Sequence, residues 1–421
     1  MKHFEGMVMV NRESYLARIR PFYDAQLVKV IVGVRRCGKS VLLKQIRDDL
    51  LSAGVGEDQV TLINFELFAN KHLRDADALH AHIASRMQEG AMQYVLLDEV
   101  QLVDGFEDVV NSLQASGSAS VFMTGSNSKL LAGEMATLLS GRYVSFQVMP
   151  FTFNEYLQYQ AQRGGQRGAS REHAASPEEE LSEYLAWGGF PLVCEQDDPD
   201  SRAVVLDDLY TSIVLRDIMD RNGIAKGEPL QNVLDFLIAN SSNLVNGKKV
   251  ADTLTSNGMK ISMAKTYSYL QCIEDAFIVS FVERYDIAGK AALKYEKKAF
   301  ACDLGLFHMK KNRSKRELSH VVETVVFNEL IARGCKVYVG KTRKGEIDFV
   351  VMRGDERCYI QVAYVMQDEE TIEREFGAYR YIDDAYPKYV ISMDPITSNI
   401  DGVQHLKLID FLRDASLLRF G

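Results

Sequence analysis

Gly33-Val34-Arg35-Arg36-Cys37-Gly38-Lys39-Ser40 sets a lysine and a hydroxyl directly behind two spaced glycines. With Val41 next in line, this spacing lets successive backbone N–H groups wrap a phosphate where a helix begins, and the helix dipole favours the anion there. Lys39 is expected to reach the β and γ phosphates of ATP. Ser40 is expected to place its hydroxyl on Mg²⁺, an octahedral ion that takes few protein ligands and keeps most of its waters.

Asp98 and Glu99 follow four apolar or aromatic residues, Tyr94-Val95-Leu96-Leu97, and form the second half of such a site. Asp98 would hold Mg²⁺ through water, and Glu99 would polarise the attacking water as general base. Thr124-Gly125-Ser126-Asn127 ends another apolar run. Asn127 is the candidate for sensing the γ-phosphate, with Thr124 and Ser126 as alternatives. Arg142, behind Gly141, is a candidate transition-state arginine supplied to a neighbouring subunit's ATP; its structural alternative is a surface salt bridge.

These residues need a sheet that delivers them to one edge. Apolar runs at Val28–Val32, Thr61–Phe65, Tyr94–Leu97, Ser120–Met123 and Tyr143–Val148 alternate with helical stretches such as Ser40–Leu51, the pattern of a parallel sheet covered by helices. Ligands of open α/β sheets bind at the carboxyl ends of the strands. The expected fold class is therefore α/β, with a P-loop core over residues 1–158.

Beyond this core, Gln160–Glu180 is rich in Gln, Arg, Gly, Ala, Ser and Glu and reads as an exposed loop. A small helical lid follows to residue 227, interrupted by Trp187-Gly188-Gly189-Phe190-Pro191. Residues 228–300 read as three helices (Leu230–Ala239, Lys248–Thr255, Ser262–Ala276) and then strand, the order of a winged helix-turn-helix. Residues 301–421 restart as a separate α/β domain of helix, three strands, helix and strand.

At 421 residues several domains are expected, and a composition of 47% hydrophobic and 25% charged residues is ordinary for a globular protein. No apolar run approaches the roughly 18–20 residues that span a bilayer, and no secretory signal opens the chain, so a cytoplasmic location without membrane contact is expected. Six cysteines are scattered singly, which argues for reduced thiols over a disulfide frame or zinc site. The net charge of −9 excludes a protein coated in basic residues but not a local phosphate-binding patch. Lys260, Lys265, Thr266 and Tyr267 surround the start of the third helix of the winged segment, where a recognition helix meets the major groove. The run Lys310-Lys311-Asn312-Arg313-Ser314-Lys315-Arg316 is a second basic candidate.

Taken with Asn64-Phe65-Glu66, Leu97-Asp98-Glu99-Val100-Gln101, Leu139-Ser140-Gly141-Arg142-Tyr143, Arg216-Asp217-Ile218, Asp303-Leu304-Gly305 and Glu346-Ile347-Asp348-Phe349, the chain resembles prokaryotic AAA-type ATPases paired with a DUF4143 domain. The resemblance implies an AAA+/ASCE core, a helical lid, a winged helix and a C-terminal domain like restriction endonucleases of the PD-(D/E)XK type. Such nucleases hold Mg²⁺ with carboxylates and position water with a lysine. Glu323 and Asp348 fit the acidic positions, but the third element reads Gln361-Val362-Ala363, and alanine orients no water. Lys341 is a weak substitute, so this domain is expected to lack catalysis.

The combined expectation is an ATP phosphohydrolase that forms a homo-oligomer, a hexameric ring among the options, and binds or remodels DNA, branched DNA included. The alternative is an ATP-dependent regulatory switch whose C-terminal domain recruits a protein partner. A metal-dependent nuclease ranks third.

Overall fold

The computed structural model describes residues 9–128, 141–166, 176–225, 227–259, 261–310 and 315–421. The chain divides into two compact units, one running to Val148 with Asp275–Phe277, the other comprising Met149–Glu274 and Ile278–Gly421.

The first unit carries α1 (Glu13–Ile19), β1 (Val28–Val32), α2 (Lys39–Ser52), β2 (Val60–Asn64), α3 (Ala76–Ala84), β3 (Gln93–Asp98), α4 (Phe106–Ser116), β4 (Ala119–Gly125) and β5 (Tyr143–Gln147). Its five strands are all parallel, in the order β2-β3-β4-β1-β5. β1, β3 and β4 are buried along their whole length, as expected when helices cover both faces of a parallel sheet. α4 turns Phe106, Val109, Val110 and Leu113 inward at helical spacing. These side chains join Val30, Val95, Leu97, Val121 and Met123 in one core. Within this apolar layer Lys29 is fully buried; its ammonium donates to Ser120 Oγ at 2.7 Å and Ala25 O at 3.1 Å.

The second unit begins with α5 (Phe153–Gln166), α6 (Pro177–Trp187), α7 (Pro191–Cys194) and α8 (Pro199–Ser212), which runs into a π-helical stretch, Ile213–Asp220. The exposed loop expected over 160–180 is therefore helical at both ends, and residues 167–175 lie outside the described residues. Reciprocal capping marks where the two helices begin. Thr152 Oγ1 accepts from Glu155 N while Glu155 Oε2 accepts from Thr152 N, and Ser176 with Glu179 repeats the arrangement ahead of Pro177.

Then come α9 (Glu228–Ala239), β6 (Asn243–Val245), α10 (Gly247–Ser256), α11 (Met263–Asp275), β7 (Val279–Asp286), β8 (Ala291–Ala301), α12 (Leu304–Lys310) and α13 (Lys315–Ala332). The tail adds β9 (Lys336–Lys341), β10 (Glu346–Arg353), β11 (Glu356–Val362), α14 (Glu369–Gly377), β12 (Lys388–Ser392), β13 (Gln404–Lys407) and α15 (Leu408–Arg413). The strands of this unit form one eight-stranded sheet in the order β13-β12-β11-β10-β9-β7-β8-β6. β7 and β9 meet in parallel through Arg284↔Val339 to Asp286↔Lys341, so the segments read separately as 228–300 and 301–421 share a sheet.

Asp303 ties the Asp303-Leu304-Gly305 motif to the glycines that follow Trp187. Its buried carboxylate accepts from Gly189 N at 2.7 Å and from Gly305 N at 2.8 Å. Gly188 sits at φ +75°, and a Cβ there would fall 1.9 Å from Asp303 Oδ1. The two glycines after Trp187 thus make room for a buried acid. Burial pushes its carboxyl up to about 7 against the backbone donors that favour the anion.

Candidate functional site

β1 ends at Val32, and Gly33 to Gly38 turn back over its carboxyl end into α2. The turn is sterically committed: Gly33 lies at φ +150°, and a Cβ there would stand 2.2 Å from Val148 O. Gly38, at φ +105°, and Arg36, at φ +65°, complete the reversal. Lys39 is buried, and its ammonium donates to Gly33 O at 3.0 Å and Val34 O at 3.1 Å. The loop is thereby curled around its own lysine, with the first backbone N–H groups of α2 unused by the helix. Arg12 supports the loop from upstream: its Nη1 donates to Cys37 O at 2.9 Å, and its guanidinium lies 4.6 Å from the centroid of Tyr15. Nothing in the loop's own spacing points to Arg12.

Asp98 is the last residue of β3 and is almost fully buried. Ser40 Oγ donates to its Oδ1 at 3.1 Å, Thr124 Oγ1 to the same oxygen at 2.6 Å, and Asn64 Nδ2 to Oδ2 at 2.7 Å. Three parallel strands and α2 thus converge on one carboxylate. Burial raises the Asp98 pKa, and the Thr124 and Ser40 hydrogen bonds oppose that shift. Ser40 and Asp98 present hard oxygen donors to one point beside the loop, a set that fits Mg²⁺, directly at Ser40 and through water at Asp98.

Glu99 lies in the left-handed region at φ +57°, a sparsely used conformation that turns it out of the strand line. Its backbone N–H donates to Thr124 Oγ1 at 2.9 Å, and Gln101 Nε2 donates to its carboxylate. Among the described residues, the other end of that amide, Gln101 Oε1, is buried without a hydrogen-bond partner. Asn127 and Ser126 are buried just past β4, yet it is Thr124 that touches Asp98. Arg35 faces Glu66 at 3.8 Å.

Arg142 is elsewhere. It is exposed, and its carbonyl accepts from Val28 N at 3.0 Å, at the amino end of β1. In a parallel sheet that is the end opposite the phosphate loop, so Arg142 is no part of the ATP site of its own unit.

In the second unit, Thr266 is fully buried, its hydroxyl donating to Ser262 O at 3.1 Å, which removes it from the expected contact face. Tyr267 is 53% exposed and covers Gly247, where a Cβ would meet its ring at 2.6 Å. Lys248, Lys249, Lys265 and Lys290 are exposed. Lys260 and residues 311–314 of the basic run lie outside the described residues. Lys310 is engaged with Asp235 at 3.0 Å and sits 4.0 Å from the Tyr210 ring centroid.

Glu323 on α13 and Asp348 on β10 do come together, but the lysine between them is Lys298 from β8, not Lys341. Lys341 is exposed at the end of β9. Ala363 is buried in an apolar cluster with Val350, Tyr359 and Val390. Gln361 Oε1 accepts from Asp348 N at 2.8 Å, and its Nε2 donates to Glu375 Oε2 at 3.0 Å. Burial alone would discharge Lys298, but Glu323, Asp348 and Glu346 outweigh it and raise its pKa. Among the described residues no group of three or more His, Cys, Asp or Glu side chains is arranged to hold a metal ion. None of the described helices is long and apolar enough to cross a membrane.

Comparison with known proteins agrees with the first unit. The family model described as "AAA domain" matches residues 25–157, and a "Domain of unknown function (DUF8612)" matches residues 178–317, in place of the DUF4143 domain that the resemblance implied. An uncharacterized protein of Haemophilus influenzae is 36% identical over 406 residues, covering 96% of this chain and 98% of that one. Uncharacterized protein MJ1544 of Methanocaldococcus jannaschii is 29% identical over 392 residues, covering 91% of this chain and 85% of its own length. Among solved structures, Cdc6p from Pyrobaculum aerophilum covers 78% of this chain and 97% of its own at 11% identity and a TM-score of 0.33, too loose a likeness to bear on function. With the phosphate loop and its carboxylates delivered to one edge of a parallel sheet, the first unit of this chain is an AAA-type P-loop domain, and the chain belongs to the family of its Haemophilus influenzae relative.

Proposed function

We propose that the protein binds Mg²⁺·ATP at Gly33–Val41 and hydrolyses it, with Glu99 as general base. The observation that carries this reading is the convergence of Ser40, Thr124 and Asn64 on Asp98 beside the curled loop. The backbone N–H groups of the loop and Lys39 would neutralise the β and γ phosphates. Ser40 and Asp98 would hold the metal ion, which supplies charge neutralisation when bound. Glu99 stands one residue beyond Asp98 on the same edge, fixed at its backbone by Thr124 and at its carboxylate by Gln101. From there it takes the proton of the attacking water. Asn127, buried just past β4, orients that water.

The same reading makes the active form a homo-oligomer. Arg142 is exposed at the far end of the sheet from its own loop, so its charge serves a phosphate only on a second subunit. Leu67 and Phe68 add to this: they are 57% and 84% exposed, next to the Glu66 that faces Arg35 of the loop. Apolar side chains left in water beside a ligand site fit a surface that another subunit covers. Mixing Arg142→Ala with Glu99→Gln protein tests it: restored turnover supports sites shared between subunits, and additive loss removes the idea.

DNA is the proposed target of the ATPase. α9, β6, α10, α11, β7 and β8 follow the helix-strand-helix-helix-strand-strand order of a winged helix, with β6 antiparallel to β8. Lys265 and Tyr267 lie exposed on its third helix, Lys248 and Lys249 on its second, and Lys290 at the β7–β8 turn. Duplex or branched DNA should stimulate turnover, and absence of binding at low salt would sink the proposal.

A further inference from the structure

Three carboxylates in the second unit close on a single ammonium. Lys298 Nζ lies 2.6 Å from Glu323 Oε1, 2.9 Å from Glu346 Oε1 and 3.5 Å from Asp348 Oδ1, and Lys298 is 6% exposed. The lysine comes from β8, Glu323 from α13, and the other two acids from β10. In the sheet order β7 and β9 stand between β8 and β10. The contact therefore reaches across the sheet instead of following a ladder.

Asp348 and Glu346 are also held from their other sides. Asp348 Oδ2 accepts from Val362 N at 2.8 Å, Gln361 bridges Asp348 N to Glu375, and Arg374 closes on Glu375 at 2.7 Å. Glu346 Oε2 faces Arg284 Nη2 at 3.6 Å. Lys298 and Arg284 together bring two positive charges to three carboxylates, the same charge that one divalent cation would bring. A divalent ion on these carboxylate oxygens would stand next to the ammonium in a poorly solvated pocket, and the repulsion between the two cations opposes its binding.

We propose that Lys298 is the resident cation of this centre, seated where a divalent metal ion would otherwise bind, so that the centre as built rejects Mg²⁺ and Mn²⁺. The lysine then does two things. It ties β8 to α13 and β10, and it holds the three carboxylates with an ammonium in place of a metal ion. The absence of lysine at Ala363 is thus offset in charge but not in chemistry: a cation is present, and it blocks the metal.

The test uses the full chain with Asp98→Asn, which removes the charged metal ligand of the nucleotide site, and Mn²⁺ as the probe. With Lys298 intact, Mn²⁺ uptake is expected to be unchanged by adding Glu323→Gln or Asp348→Asn. Uptake of one Mn²⁺ that either substitution abolishes would overturn the proposal. Lys298→Met is expected to create one Mn²⁺ site, with a melting temperature that rises as Mn²⁺ is added, and Asp348→Asn should cancel both effects. A folded Lys298→Met protein that takes up no Mn²⁺ also overturns it. The first comparison leaves Lys298 untouched and decides the question even where Lys298→Met does not fold.

Discussion

Ser40 Oγ donates to Asp98 Oδ1 across 3.1 Å, tying the first turn of α2 to the last residue of β3. The two donors expected to hold Mg²⁺ thus stand side by side. Asp98→Asn keeps the shape and removes the charge. It should abolish the Mg²⁺ dependence of ATP binding and lower turnover at least about 100-fold, as losses of positioned charge in phosphoryl transfer do. Nucleotide titrations with and without Mg²⁺ check this; normal Mg²⁺ dependence in the Asp98→Asn protein would remove Asp98 from the site.

Gly33→Ala should act on the loop without touching its charges. The added Cβ would stand 2.2 Å from Val148 O at a φ of +150°, and strain of this kind costs about 1–3 kcal/mol. ATP affinity is expected to fall roughly 10-fold or more, while the melting temperature drops by a few degrees. Unaltered affinity would mean that the loop tolerates the side chain and that the observed turn is not required.

Lys29 predicts a pH dependence of stability. Burial lowers its pKa to about 8, with Asp24 opposing, whereas in the unfolded chain a lysine titrates near roughly 10.4. Between those values the unfolded state binds more protons than the folded one, so stability rises with pH from about 8 to about 10. The contribution is on the order of 2–3 kcal/mol across that window. Lys29→Met should remove this rise, as read from chemical denaturation at about pH 7.5 and about pH 9.5. An identical pH trend in both proteins would show that the ammonium is accommodated at no cost.

What the sequence made legible follows how local each signal is. The phosphate loop, Asp98 and Glu99 sit in contiguous motifs at strand ends, and the five apolar runs of the first unit fall on its five strands. Arg12 and Lys298 were invisible because each acts on residues far along the chain: Arg12 on Cys37, and Lys298 on Asp348 across two intervening strands. β6 and β13 are short, at three and four residues, and too brief for a period to register. Thr266 fell on the wrong side of α11 because a threonine's hydroxyl reads as exposed until its bond to Ser262 O is seen.

If the proposed DNA contact is right, the exposed Lys248 of α10 and Lys265 of α11 should read out as salt dependence. Lys248→Ala or Lys265→Ala is expected to weaken DNA binding evenly across sequences and to lower the slope of log K against log salt by about 1 each. Fluorescence anisotropy over a salt series measures it. Unchanged slopes in both variants would mean that this face does not meet phosphates.

The account stands most directly on Glu99. Phosphate release and ATP binding should be measured together on the wild-type, Glu99→Gln and Lys39→Ala proteins. Wild type is expected to bind and hydrolyse ATP, Glu99→Gln to bind it but release phosphate about 10²–10⁴ times more slowly, and Lys39→Ala to fail at binding. Equal release from wild type and Glu99→Gln would contradict the account, as would a wild-type protein that holds Mg²⁺·ATP without ever cleaving it.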